Sequence, residues 1–177
     1  MKTEVWAACF TELDADKPYR TFRNIANFIN AILRYTNANC YFHNLKGYDG
    51  SFILDYLVKH GYTHLLPGEL AGPLTKYIVG EVGGFTVYDG KKAYNFIDTL
   101  SLLKGSIKQF GKSLTETKGM NFLKGDTPLI PYGEKLEDQL QEDGTHWTWE
   151  AAEAYIKQDV RILKETMLEM DIATYFE

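Results

Sequence analysis

Cysteines and long apolar runs are both scarce in this chain of 177 residues. Its two cysteines, Cys9 and Cys40, each lie in an apolar segment, which favours buried free thiols in a reducing compartment over a disulfide. No apolar run approaches the roughly 18 residues of a membrane span, and no long apolar segment follows Lys2 as in a secretory signal. The sequence therefore predicts neither a membrane span nor a disulfide-bonded secreted protein.

Several widespread catalytic and metal-binding signatures are also missing. The chain has no GxSxG, no P-loop and no GxGxxG motif. Cys9 and Cys40 form no CxxC pair, and the histidines at 60, 64 and 146 lack the spacing of metal ligands. The usual patterns of a serine hydrolase, a nucleoside-triphosphate loop, a dinucleotide-binding loop and a zinc site are thus not indicated.

The chain is instead rich in apolar and aromatic residues, which make up 45% and 14% of it. With 24% charged residues, this composition argues against disorder and predicts one folded domain over residues 1–177.

Charge is unevenly distributed along the chain, whose net charge is −5. Residues 1–133 hold 15 Lys and Arg against 12 Asp and Glu, whereas residues 134–177 hold 4 against 12. The acidic end argues against bulk, non-specific nucleic-acid binding. A local basic groove is still possible, because five lysines lie close together in the sequence with only Glu116 among them. These lysines are Lys104, Lys108, Lys112, Lys118 and Lys124.

The hydrophobic pattern predicts strands that alternate with helices, followed by hairpins. Strands are expected at 5–11, 19–22, 40–42, 77–79, 85–88 and 94–97, with Gly83-Gly84 and Asp89-Gly90 as hairpin signals. Helices are expected after the N-cap Asn24, from Phe52 to about Gly61, along Leu103 to Leu114, and after the N-cap Thr148 into the 160s. This order indicates an α/β fold with a mixed sheet.

The first candidate site residue is Asp49, which lies in a turn flanked by Gly47 and Gly50. The turn follows a predicted strand and precedes a predicted helix, which is where ligands tend to bind in α/β sheets. A carboxylate at this place can hold a metal ion through its oxygens. It can equally cap the helix that follows, as Asp often does.

The second candidate is a pair on the last predicted helix, Tyr155 and Asp159. A spacing of four residues places both on one helix face. A phenol next to a carboxylate can orient a water that a metal activates; the alternative is a solvated face. An apolar stripe is expected at Ile156, Val160, Leu163 and Met167, so Asp159 is predicted to lie off the core side.

Further polar residues have two interpretations each. Lys124 can contact a phosphate or lie in solvent. The Asp98-Thr99-Leu100 segment, at the end of a predicted strand, can present a hydroxyl to a substrate or cap a helix. His43 and Asn44 can bind a polynucleotide or form the turn.

Taken together, these segments resemble the 3′–5′ exonuclease domain of family B DNA polymerases, specifically the protein-primed type of phages and linear plasmids. Residues 42–52, Phe-His-Asn-Leu-Lys-Gly-Tyr-Asp-Gly-Ser-Phe, resemble the second exonuclease motif of that family. Residues 155–159, Tyr-Ile-Lys-Gln-Asp, resemble the third. Thr99-Leu100 and the following residues match its Ser/Thr-Leu pattern, and 123–126 match the region of its catalytic lysine.

The resemblance implies a set of roles. Asp49 and Asp159 would be ligands of divalent cations, Mg²⁺ or Mn²⁺, and Tyr155 would orient the attacking water. Lys124 would hold or polarise the scissile phosphate. A path for the 3′ end of single-stranded DNA would be formed by His43, Asn44, Tyr48, Phe52, Thr99 and Leu100.

One part of the family pattern is missing. The first motif, a strand bearing Asp-x-Glu upstream of a strand like Thr3–Phe10, has no counterpart, because Glu4 and Asp14-x-Asp16 lie at other positions. The implied fold is a ribonuclease-H-like mixed sheet with flanking helices that lacks its first strand. The vacant position would be filled by an upstream segment, by a partner strand, or by a rearranged sheet, because unpaired backbone groups are costly.

The expected function is therefore that of a proofreading exonuclease domain in DNA replication, truncated at its N-terminus and with little or no nuclease activity in this chain, since two of the four expected carboxylates are absent. The alternative is a catalytically inactive module that binds single-stranded nucleic acid or a replication protein. Expected partners besides DNA are the polymerase domain, a terminal protein or a second copy, and the expected location is the cytoplasm of a bacterial host.

Overall fold

A computed structural model describes residues 5–14, 16–118, 137, 140–141 and 143–172. The elements are, in chain order, β1 (Ala8–Phe10), β2 (Arg20–Phe22), α1 (Ile25–Ile32), β3 (Ala38–Phe42), α2 (Gly50–Lys59), β4 (Thr63–His64), β5 (Lys76–Glu81), β6 (Gly84–Asp89), β7 (Lys92–Asp98), α3 (Ile107–Lys118) and α4 (Trp149–Met170). They fall into two compact units, one formed by residues 25–104 and the other by the described residues of 1–24 and 105–177.

The 25–104 unit contains a mixed five-stranded sheet in the order β3-β7-β6-β5-β4. The three central strands are antiparallel neighbours, as the two hairpin signals predict, whereas β3 runs parallel to β7. In this register Phe42 lies opposite Asp98, so β3 and β7 end at the same edge of the sheet. The predicted α/β class with a mixed sheet and flanking helices is confirmed, and this architecture is consistent with a ribonuclease-H-like fold.

Aromatic residues form much of the core beneath this sheet. The ring of Phe96 stacks on Phe42 at 5.8 Å and on Phe85 at 4.9 Å between centroids. Tyr94, fully buried, donates its hydroxyl proton to a carbonyl at the end of α1, where Leu33 O lies at 2.9 Å and Tyr35 O at 2.5 Å. These contacts fix α1 against β7, the strand that ends at the same sheet edge as β3.

The other unit consists of the β1–β2 hairpin and the helices α3 and α4. Leu114 of α3 and Ile162 of α4 are buried together, with Ile107 and Phe110 packed against them. Thr148 accepts a hydrogen bond from the Ala151 amide at 3.2 Å, which confirms it as the N-cap of α4. Helix α3 begins at Ile107 rather than near Leu103, because Gly105 has a φ of 126° that no helix accommodates.

Two features bear on the expected missing strand. In the part of the chain that the structure describes, β3 pairs only with β7 and is therefore an edge strand, and β1 pairs only with β2 in a sheet of two strands. Cys9 and Cys40 are free thiols, as predicted, but both are partly rather than fully buried. None of the described helices combines the length and the apolar composition that a membrane crossing requires.

Candidate functional site

The segment from His43 to Asp49, here called the 43–49 turn, connects β3 to α2. Asn44 adopts the left-handed conformation, with φ 65° and ψ 39°, which Asn tolerates better than most residues. A turn of π-helix, Leu45–Asp49, follows and leads directly into α2. Single π-helical turns are rare and occur frequently at functional sites. Gly47 and Gly50 therefore do not bracket a simple loop, but lie within a wide helical turn.

A close approach to the backbone explains why glycine is needed at position 50 of this turn. A Cβ atom at Gly50 would lie 2.9 Å from the carbonyl oxygen of Leu45. One at Gly47 would meet the Asn44 side chain at 2.5 Å. Any other residue at Gly50 would thus push against the backbone of the π-helical turn itself.

Asp98, the last residue of β7, is hydrogen-bonded to the 43–49 turn. Its side chain is only 5% exposed. The Oδ1 atom accepts from the amides of Asn44 at 2.9 Å and Leu100 at 3.0 Å, and Oδ2 accepts from the amide of Lys46 at 3.1 Å. The predicted capping interpretation of Asp98 is correct for the short 3₁₀ turn Thr99–Ser101, but the same carboxylate also satisfies two amides of a distant segment.

Thr99 lies next to it and is fully buried. Its hydroxyl donates to the carbonyl of Phe42 at 3.0 Å, and its oxygen lies 3.0 Å from Nδ1 of His43. Of the predicted DNA-path residues, His43 and Asn44 are thus brought together with Thr99 in one small cluster. Leu100 is half-buried beside them.

The carboxylate of Asp49 is not used for capping, although the residue precedes α2. Asp49 has helical backbone angles and makes no side-chain capping bond. The residue is exposed to solvent, yet protein atoms around its carboxyl group desolvate it enough to raise its pKa, and the negative charge of Asp98 raises the pKa further. A carboxylate that is destabilised in this way and remains accessible fits the requirement for a hard-cation ligand.

An aromatic pair lies beside Asp49. Tyr48 is 58% exposed, and its ring meets that of Phe52 edge-to-face at 5.0 Å. A second pair with the same spacing, Tyr56 and His60, stacks at 4.0 Å further along α2. The exposed ring of Tyr48 offers a surface on which a base can stack.

Tyr155 and Asp159 lie on α4 in the other unit and are both half-buried. The prediction that Asp159 lies off the core side is wrong. The buried positions of α4 are Ala152, Ile162, Thr166 and Met167, and the helical period puts Asp159 at the centre of that face. The true stripe is displaced from the predicted one because its members include a small residue and a threonine, neither of which marks a core by hydropathy.

Two further predictions have different outcomes. Lys124 lies outside the described residues. Among the residues that the structure does describe, no group of three or more His, Cys, Asp or Glu side chains could hold a metal ion. The 43–49 turn thus fits a divalent cation in part, because it offers one accessible carboxylate, that of Asp49.

The sequence analysis treated Asp98 only as a helix cap and did not predict its hydrogen bonds to the 43–49 turn. Its signal was available in the alternation of β7, where Tyr94 and Phe96 face the core and position 98 continues the same face. A carboxylate at a core-facing position must find hydrogen-bond donors. Which donors it finds depends on the parallel pairing of β3 with β7, and a local pattern does not reveal that pairing.

Comparison with known proteins gives the chain its family. The family model described as DNA polymerase type B, organellar and viral, matches residues 29–177. The DNA polymerase of Bacillus phage phi29 is 27% identical over 176 residues, and that of Bacillus phage PZA is 27% identical over 173 residues; each alignment covers 93% of this chain. The DNA polymerase of Bacillus phage M2 is 26% identical over 175 residues, 92% of this chain. No solved structure matches.

The matched portion is a small part of these relatives, since the chain spans about 27% of the length of each. The match nevertheless includes every motif described above. Because the family model covers well over half of the chain, this protein belongs to the type B DNA polymerases of the organellar and viral group.

Proposed function

We propose that this chain acts as the exonuclease-type domain of a phage DNA polymerase and binds the 3′ end of single-stranded DNA at the 43–49 turn. One observation carries the proposal: the turn presents an accessible carboxylate, Asp49, next to the exposed ring of Tyr48, which packs edge-to-face on the half-buried Phe52. A cation-binding oxygen next to a base-stacking surface is what recognition of a terminal nucleotide requires. His43, Asn44 and Leu100 extend this surface.

A divalent cation, when bound, would supply positive charge that stabilises the phosphate of the terminal nucleotide. The family resemblance gives Asp49 and Asp159 as ligands of such a cation, Tyr155 as the residue that would orient a water, and Lys124 as the one that would contact the phosphate. Two carboxylates make a weak site for a pair of such ions. We therefore expect DNA binding that Mg²⁺ or Mn²⁺ strengthens, with little or no degradation.

The test is a titration of a 5′-fluorescent oligothymidylate with a free 3′ end, in which binding is measured by fluorescence anisotropy at low and moderate salt. Tyr48→Ala is expected to weaken binding about tenfold, because base–aromatic stacking contributes roughly 1–3 kcal/mol. Tyr56→Ala is the matched control, since it removes a tyrosine that also has an aromatic partner four residues on, but from α2 and away from the turn. Its affinity should stay within about twofold of wild type.

Three outcomes would contradict the proposal. Equal loss of affinity in both variants would show that the turn is not the binding surface. Processive shortening of the oligonucleotide from its 3′ end in Mn²⁺ would contradict the expected lack of activity. If the wild-type chain binds no DNA, the weight moves to a protein partner for the acidic region 134–177.

A further inference from the structure

We propose that Asp98 and Thr99 are positioning residues that hold the 43–49 turn in its DNA-binding form, and that neither contacts DNA itself. For Thr99 this departs from the role that the family pattern implies, in which it lines the DNA path. The predicted effect on DNA binding rests on the proposed function. The hydrogen bonds that carry the inference can be tested without DNA.

The side chain of Asp98 is buried, and its carboxylate is hydrogen-bonded to the backbone. Both carboxylate oxygens are occupied by backbone amides, and the side chain is 5% exposed. A phosphate or a cation would have to displace the amides of Asn44 and Lys46 to reach it. Hydrogen bonds from an amide to a charged acceptor are about twice as strong as neutral ones. Asp98 is therefore better suited to fixing the backbone of the turn than to binding a ligand.

The hydroxyl of Thr99 has two contacts, one with the Phe42 carbonyl and one with the His43 ring. A hydroxyl has one proton to donate, and that of Thr99 points to the Phe42 carbonyl at 3.0 Å. The contact of 3.0 Å with His43 must then be donated by His43, which places a proton on Nδ1 of the imidazole. Thr99 thus fixes both the orientation and the tautomer of His43, from a position with no exposed surface of its own.

The backbone conformation of the 43–49 turn depends on its hydrogen bonds to Asp98. Asn44 is held in the left-handed region, which L residues other than glycine seldom occupy. The Asn44 and Lys46 amides would lose their acceptor if Asp98 were absent, and unsatisfied partly buried amides are costly. The conformation that brings Tyr48 and Asp49 to the surface is therefore coupled to Asp98 through two hydrogen bonds.

The experiment uses Asp98→Asn in the full chain, with residue-resolved amide hydrogen exchange as the readout. Asn keeps one oxygen, which can retain the bonds from Asn44 and Leu100. The NH₂ group of Asn would then face the amide of Lys46, and no hydrogen bond would form because both groups are donors. We expect exchange at Lys46 to accelerate at least tenfold, since its amide loses a bond to a charged acceptor, while exchange at Asn44 changes much less.

The control is Asp89→Asn, which changes a carboxylate at the end of β6 that accepts a bond from the Tyr62 hydroxyl at 3.3 Å. It should leave Lys46 unchanged. Affinity for the oligothymidylate should fall about tenfold in Asp98→Asn and stay near wild type in Asp89→Asn. If the wild-type chain binds no DNA, the proposed function fails, and exchange at Lys46 still decides the inference.

Two measurements on the wild-type chain keep the inference falsifiable even if Asp98→Asn does not fold. Through-hydrogen-bond couplings should join the amide nitrogens of Asn44, Lys46 and Leu100 to the side-chain carboxyl carbon of Asp98. Long-range ¹H–¹⁵N spectra should show His43 protonated at Nδ1. Unchanged exchange at Lys46 in Asp98→Asn, absent couplings, or a His43 protonated only at Nε2 would overturn the proposal.

Discussion

At the residue scale, the 43–49 turn depends on one buried and one accessible carboxylate. Asp98 is surrounded by amide donors, and its negative charge adds to the desolvation that raises the pKa of Asp49. The two acids therefore have different tasks, although they lie close together. The buried one holds the backbone, and the accessible one is left with an unfavourable charge that a cation could neutralise.

This electrostatic arrangement predicts a pH dependence of stability. Because folding raises the pKa of Asp49 above its ordinary value of 3.8, the folded state holds that proton more tightly than the unfolded chain. The contribution of Asp49 to stability therefore falls as pH rises through the interval between the two pKa values. Asp49→Asn removes the charge, so its stability relative to wild type should increase from pH 3 towards pH 7.

Unfolding by urea at several pH values would measure this difference. Asp143→Asn is a control of opposite sign, because hydrogen bonds from Thr145 lower the pKa of Asp143. Folding then favours the charged form of Asp143, and its replacement should cost stability above the unfolded pKa and cost less as pH falls. The same trend in both variants would contradict the account of Asp49.

At the scale of secondary-structure elements, the pairing of β6 with β7 holds in place the strand whose last residue, Asp98, is hydrogen-bonded to the 43–49 turn. Gly84, in the first position of β6, lies so close to β7 that a Cβ atom would overlap the carbonyl oxygen of Phe96. We expect Gly84→Ala to reduce the free energy of unfolding by about 1–3 kcal/mol, as overpacking commonly does. Gly80→Ala in β5, where a Cβ atom meets nothing within 4 Å, should change it by no more than about 0.5 kcal/mol. Equal effects would show that the close approach is unimportant.

Local sequence patterns predicted most of these elements because their signals are local. Gly83-Gly84 and Asp89-Gly90 marked the two hairpins, and the structure has β5, β6 and β7 around them. Thr148 marked the start of α4. The π-helical turn at Leu45–Asp49 and the left-handed Asn44 were not predicted, since both are stabilised by hydrogen bonds to Asp98, about fifty residues further along the chain.

The buried face of α4 was also misassigned, for a related reason. The apolar stripe read from hydropathy gave no weight to Ala152 and Thr166, which are buried. Thr166 bonds its hydroxyl to the Ile162 carbonyl at 2.8 Å and so fits a buried position without an unsatisfied group. Hydropathy alone undervalues residues that satisfy their own polar atoms within the helix.

At the scale of the whole molecule, the chain belongs to the type B DNA polymerase family and spans about 27% of the length of its phage relatives. Its net charge of −5 and its acidic region 134–177 disfavour binding along an extended strand. A short surface that combines aromatic stacking with a cation fits this charge balance better than a broad basic groove. The proposed site therefore engages one or two terminal nucleotides rather than a long strand.

The most direct test of this account is a titration of the chain with Mn²⁺ in the presence of an oligothymidylate, followed by paramagnetic broadening of backbone amide resonances. We expect the amides of residues 48–50 to broaden first, Asp49→Asn to abolish the effect, and Asp55→Asn, which changes an exposed acid on α2, to preserve it. Broadening centred on another acidic segment, with residues 48–50 unaffected, would contradict the claim that this turn is a cation and DNA site.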